Sequence, residues 1–253
     1  MKSFAAGELG MVCTDDRRLY ERALAFGHYG KNNPTNIIEA EEIKGFYHVG
    51  LGGCKGRANQ VSTTLARGQL KYFDERCAEI RKAMDYFYDS LSDIEGLKPL
   101  RPNREEGSHM GGYYLPHFAY YPEKFGGLSA KRFCEALTAE FSGTFGAWEG
   151  ANFCLHNHKF FKEFDLFNNG KPTRIAFNDR DVRRDDDAVN PSEKKYCVSA
   201  PWFKKFNVEI LDAYSKAYRK VAENYEQLLE GDTDKSQGGR WHGMSNDEIQ
   251  QKK

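Results

Sequence analysis

Apolar residues spaced three and four apart organise most of this chain. The clearest run joins Leu70, Phe73, Cys77, Ile80, Met84, Phe87 and Leu91. That continuous stripe predicts one long helix with a core-facing side, and Gly68 inside it marks a point of bending. A second run, Leu211, Tyr214, Tyr218, Val221, Tyr225 and Leu228, predicts a helix over 208–229, closed by Gly231. Phe133, Leu137 and Phe141 share a face behind Ser129, a natural N-cap. Leu19, Ala23 and Phe26 do the same behind Thr14-Asp15-Asp16, which predicts an amphipathic helix over 15–26. The apolar run Met11-Val12-Cys13-Thr14 reads as a strand. Residues 112–121 read as a second, with Pro116 marking an edge or an irregular point because proline cannot donate to a ladder. Residues 35–52 lack a clean period and read mostly as loop. Residues 142–207 are irregular and rich in Asn, Lys and Asp, and residues 232–253 read as a disordered tail. The polar stretch 103–108 is a candidate domain boundary.

Composition narrows the class. Two hundred and fifty-three residues suffice for one large domain or two smaller ones. Lys plus Arg and Asp plus Glu both number 37, so no basic excess points to nucleic acid. No apolar run approaches the roughly 18 residues of a membrane helix, and no apolar signal region opens the sequence, so the chain reads as cytoplasmic. Six scattered cysteines without a CxxC pair read as reduced thiols, most of them packing residues. Eighteen Phe and 14 Tyr exclude a wholly disordered chain.

Two stretches carry candidate chemistry. Lys2 precedes a small apolar run and the turn Gly7-Glu8-Leu9-Gly10, which would hold it on a short loop beside a sheet. Such a lysine can form a Schiff base with a carbonyl cofactor; the plainer reading is a solvated chain end. In Gly53-Cys54-Lys55-Gly56-Arg57-Ala58-Asn59 two cations alternate with glycines ahead of a helix. A phosphate or carboxylate is the natural guest of that arrangement, and a solvated basic turn is the alternative. His28 and Tyr29 could reach a site, although loop aromatics commonly just pack. His156-Asn157-His158 is a weak metal signal, lacking a further ligand at a suitable spacing. Asp185-Asp186-Asp187 reads as an exposed loop.

Taken together, three stretches resemble the DegT/DnrJ/EryC1/StrS aminotransferase family. Lys2 to Gly10 is similar to the family's lysine segment, K-x-x-x-x-GEGG, with Leu9 in place of a glycine and Met1 where serine is frequent. Gly53 to Asn59, followed by Gln69-Leu70 and Asp74, resembles the segment whose asparagine reaches the cofactor phosphate across a dimer. Lys55 stands at that position here, as in a branch that writes GYKYR. The third stretch runs from Gly126-Gly127-Leu128-Ser129 through Leu155-His156, Pro191, Glu193 and Pro201-Trp202-Phe203 to the helix with Ala217-Tyr218-Arg219-Lys220-Val221, and resembles the small domain.

The resemblance implies the C-terminal part of an α/β, fold-type I transferase that uses pyridoxal 5'-phosphate. Residues 1–100 would be the remainder of the large domain with a long linking helix. Residues 101–230 would be an α+β small domain, and 231–253 a tail. Lys2 would carry the cofactor and act as general acid and base; Lys55 and Arg57 would serve its phosphate. The implied donor is glutamate or glutamine and the acceptor a keto sugar or keto-cyclitol, in a homodimer. The family's residues for the pyridine nitrogen and the ring stack lie ahead of this lysine, so the expectation is a truncated enzyme or one completed by a separate N-terminal half. The alternative is a non-catalytic small-domain fragment or assembly partner. A dehydratase of the same family would need histidine in place of Lys2. No metal site and no membrane or nucleic-acid partner is implied.

Overall fold

The computed structural model describes residues 3–142, 144–150, 160, 163–172, 177, 196–233, 240–241 and 244–245. By their internal contacts, residues 1–74 and 75–253 form two compact units.

In the first unit, α1 spans Arg17–Gly27, and Asp16 caps it by accepting from the Leu19 N–H at 3.0 Å. The Leu19, Ala23 and Phe26 face is exposed, contrary to its pattern, and Glu21 and Ala25 are the buried positions. A fully buried carboxylate needs several partners, and Glu21 has them. Arg17 Nε donates to it at 2.8 Å, and the amides of Glu39 and Ala40 donate at 2.9 and 2.8 Å. Burial alone would raise the carboxyl, but the Arg17 guanidinium and the amides of Ala40, Ile38 and Glu39 outweigh it and bring it down to about 2. These bonds anchor the loop after α1, and Ala25, Ile37, Ala40 and Ile43 form a small core beneath it. Asn32 is buried and donates to the carbonyls of Phe46 and Val49 at 2.7 and 2.9 Å, so the 46–49 turn is stapled down as well.

Residues 11–14 form no strand. Met11 and Val12 are 72% and 84% exposed, and no strand among the described residues pairs with them. The expected long helix is two: α2 spans Gln60–Leu70 and α3 spans Phe73–Asp89. The interruption falls three to four residues after Gly68, where Lys71 and Tyr72 are exposed. Cys77, Ile80, Met84, Phe87 and Leu91 of the predicted stripe are buried, whereas Leu70 is exposed.

The second unit is built on a three-stranded antiparallel sheet in the order β1 (Leu97–Pro99), β2 (His117–Tyr120), β3 (Tyr196–Ser199). Phe118 faces Pro99 on one side and Val198 on the other. The predicted strand starts only after Pro116, whose carbonyl accepts from Ala200 N–H at 2.8 Å. β2 is therefore the central strand, and the proline sits at its end, where no donor is needed. β1 and β3 lie in segments read as a helix end and as irregular chain. The next helix, α4 (Ala130–Glu140), is capped by Ser129 and buries Phe133 and Leu137, with Phe141 just beyond it, as the spacing predicts. The last predicted helix forms as α5 (Val208–Glu223) and the short α6 (Glu226–Leu229). Phe87 is the hub of this core, edge-on to Phe118, Phe203 and Tyr218. Asp232, expected in a disordered tail, accepts from Ser129 N–H and Oγ at 2.7 and 2.8 Å. Within that stretch β4 (Arg240–Trp241) pairs with β5 (Met244–Ser245).

Candidate functional site

The site is assembled at the C-terminal end of α1. The segment 51–56 crosses that end and donates to its last carbonyls: Leu51 to Ala25 at 3.1 Å, Gly52 to Phe26 at 3.3 Å, and Gly56 to Gly27 at 2.7 Å. These carbonyls lack partners within the helix, so the segment satisfies them. The approach is possible because Gly52 has no side chain; a Cβ there would lie 2.6 Å from the Phe26 ring.

This crossing brings Lys55 and Arg57 to the loop that follows α1. Lys55 Nζ lies 5.1 Å from the centre of the Tyr29 ring, and Tyr29 stacks on His28 with centroids 4.9 Å apart and planes tilted by 24°. Arg57 Nε lies 3.4 Å from His28 Nε2. Four side chains thus form one ladder: ammonium, phenol ring, imidazole, guanidinium. Among the described residues no carboxylate pairs with Lys55 or Arg57, whereas Arg17, Arg18, Arg22 and Lys44 of the same unit all have one. A cation without a described carboxylate partner attracts an anion, and a phosphate monoester suits each of the two in charge and in acceptor number.

The anion was expected at a helix N-terminus, and the structure corrects that route. Asn59 caps α2 with its own side chain, taking the amides of Val61 and Ser62 at 2.9 and 3.3 Å. The cations instead sit beside the negative end of α1, which favours them there.

Lys2 lies outside the described residues. The segment after it is fixed to α2: Gln69 Nε2 donates to the Ala5 carbonyl, and Phe4 meets Phe73 edge-on at 5.3 Å. Gly7 has φ +69° with Ser62 Oγ 3.3 Å from its would-be Cβ, so the expected glycine turn forms, though against a helix rather than a sheet. Residues 4–11 with Ala66 and Leu70 enclose a cavity of about 500 Å³, within the size range of small-molecule sites.

His156, His158, Asp185, Asp186 and Asp187, and the family-like Pro191 and Glu193, lie outside the described residues. No cluster of three metal-ligating side chains occurs among the described ones. Trp202 and Phe203 pack against the core of the second unit. Of the described cysteines, Cys77 and Cys134 are buried while Cys13 and Cys54 are exposed, so packing explains only some of them. No helix among the described residues is long and apolar enough to cross a membrane. Sequence reasoning left His28 and Tyr29 as loop aromatics; the signal was their flanking by Gly27 and Gly30, a turn that turns both rings toward the basic segment.

Against known proteins, the model of the DegT/DnrJ/EryC1/StrS aminotransferase family matches residues 1–162. A protein of Streptoalloteichus tenebrarius that carries the provisional name L-glutamine:3-amino-2,3-dideoxy-scyllo-inosose aminotransferase is 24% identical over 139 residues. That match covers 55% of this chain and 31% of the relative.

Proposed function

Because this chain belongs to the DegT/DnrJ/EryC1/StrS aminotransferase family, we propose that it carries the lysine-bearing part of a pyridoxal phosphate-dependent aminotransferase. The acceptor is a keto sugar or keto-cyclitol. The relative's name, which pairs L-glutamine with an inosose, favours glutamine over glutamate as donor and a keto-cyclitol as acceptor. The observation that carries this reading is that Lys55 and Arg57, at the two ends of the Tyr29–His28 stack, have no described carboxylate partner.

The residues present fit the cofactor's phosphate: Lys55 and Arg57 supply charge and directional donors. Pyridoxal phosphate supplies an aldehyde and an electron-withdrawing ring. Lys2 would hold it through its amine and, once released, would move a proton at the substrate carbon. The His28–Tyr29 stack holds the edge of the site in place. Residues 1–100 belong in this reading to the cofactor-binding large domain and its linking helix, and 101–230 to the small domain. A homodimer in the cytoplasm belongs to this reading.

The test compares pyridoxal phosphate with pyridoxal, which lacks the phosphate. The full-length protein binds the phosphorylated form more tightly, and Lys55→Ala or Arg57→Ala removes about tenfold or more of that preference, as loss of a charge-assisted contact does. Equal affinity of the wild-type protein for both compounds contradicts the reading.

One observation favours a second reading, a non-catalytic assembly partner. The first unit exposes the large apolar side chains of Met11, Val12, Phe26, Phe46, Val61 and Tyr72, which a partner would cover. A complete assembly that takes up no pyridoxal phosphate would support that alternative.

A further inference from the structure

The neighbourhood of His28 contains a hydrogen-bond conflict. Its Nδ1 lies 2.9 Å from the Gly30 N–H, and its Nε2 lies 3.4 Å from Arg57 Nε, another N–H. A neutral imidazole has one acceptor nitrogen and one donor, so it cannot accept from both. The shorter contact prevails, because the backbone N–H of Gly30 is fixed in the turn while the Arg57 side chain is exposed. Nδ1 is then the acceptor and Nε2 carries the proton. Two N–H groups, His28 Nε2–H and Arg57 Nε–H, face one another with no acceptor between them among the described residues.

We propose that His28 and Arg57 form a two-donor clamp for one oxygen of a phosphate-type oxyanion, with His28 as a binding residue. The proposal rests on the reading that an anion binds at Lys55 and Arg57, and names a ligand-contacting group which that reading does not require. At 3.4 Å the two nitrogens leave no room for an atom between them; one oxygen seated beside the pair accepts from both once the exposed Arg57 side chain turns its N–H toward it, and the mismatch becomes two hydrogen bonds. The ring is aimed by two features. Tyr29 stacks on it, and Gly30 leaves it room: a Cβ on Gly30 would lie 3.2 Å from both Cε1 and Nδ1 of the imidazole. Gly30 therefore sets both the tautomer, through its N–H, and the seat of the ring, through its missing side chain.

Imidazole ¹⁵N spectra of the full-length protein, recorded well above the ordinary histidine range of about 6.5 and assigned with His28→Gln, read the tautomer directly. A bare Nδ1 and a protonated Nε2 are expected; a protonated Nδ1 overturns the clamp. Titration with inorganic phosphate should then move the His28 Nε2 and Arg57 Nε resonances together and saturably. His28→Phe keeps a ring on Tyr29 but loses the donor, and should weaken phosphate about tenfold. His28→Gln retains an N–H donor and should stay within about threefold of wild type. Gly30→Ala displaces the ring and should resemble His28→Phe. Wild-type phosphate affinity in His28→Phe, with its circular dichroism unchanged, overturns the proposal. Joint phosphate shifts without cofactor attachment at Lys2 would keep the clamp and reject the cofactor reading. Attachment at Lys2 without any response at His28 would reject the clamp alone.

Discussion

Glu21 shows how a single residue in this chain departs from its pattern. The period of α1 marks Leu19, Ala23 and Phe26 as the inward face, because apolarity is all that a period registers. The fold instead buries a carboxylate, since Arg17 and two amides of the following loop satisfy it. Partners 18 and 19 residues away have no signature in a helix period. The consequence is measurable. The Glu21 carboxyl falls from 4.5 to about 2 on folding, so its ionisation stabilises the first unit in full above about pH 4.5. That contribution is lost as the pH falls from there through about 2. Glu21→Gln, which keeps an acceptor oxygen but no charge, should lower the thermal midpoint at pH 7, and its deficit should narrow as the pH drops through that window. A deficit constant from pH 7 to pH 2 would show that the charge has no part. The cations of the candidate site were legible as residues, from their alternation with glycines. Their true seat, across the C-terminal end of α1, depends on the tertiary approach of Gly52 to Phe26.

At the scale of elements, length decides what the sequence reveals. The stripes of α3, α4 and α5 repeat over several turns and name most of their buried residues, although Phe73 and Tyr214 are half-buried and Ala83, Tyr88, Ser215 and Ala222 are buried off the stripes. β1 and β3 are three and four residues long, too short for alternation to show, and β3 lies in a polar region. The caps were legible where one side chain does the work, as Ser129 does for α4. The second bond of Ser129, to Asp232 from 103 residues away, was not. Ser129→Ala removes both bonds and should cost about 1–2 kcal/mol in denaturant unfolding. In the same helix Leu137→Ala should cost about 2–5 kcal/mol, because its side chain is fully buried. Should Ser129→Ala match the wild type, neither the cap nor the Oγ bond to Asp232 has energetic weight.

For the molecule as a whole, two compact units differ in how well they are closed. The second has a continuous aromatic core running from Ile80 to Ala222. The first has a core of four small or aliphatic residues and leaves many large apolar side chains open, which is the state of a surface made to be covered. Sedimentation of the purified chain should therefore find species larger than one chain, and a monomer at all concentrations would contradict this. The membership of the chain in an aminotransferase family is what makes the amine of Lys2 the proposed point of cofactor attachment. Borohydride reduction of the full-length protein loaded with pyridoxal phosphate, followed by peptide mapping, tests that attachment most directly. A pyridoxyl group on Lys2, absent from Lys2→Ala, is the predicted result; a pyridoxyl group on another lysine, or none, would contradict the account.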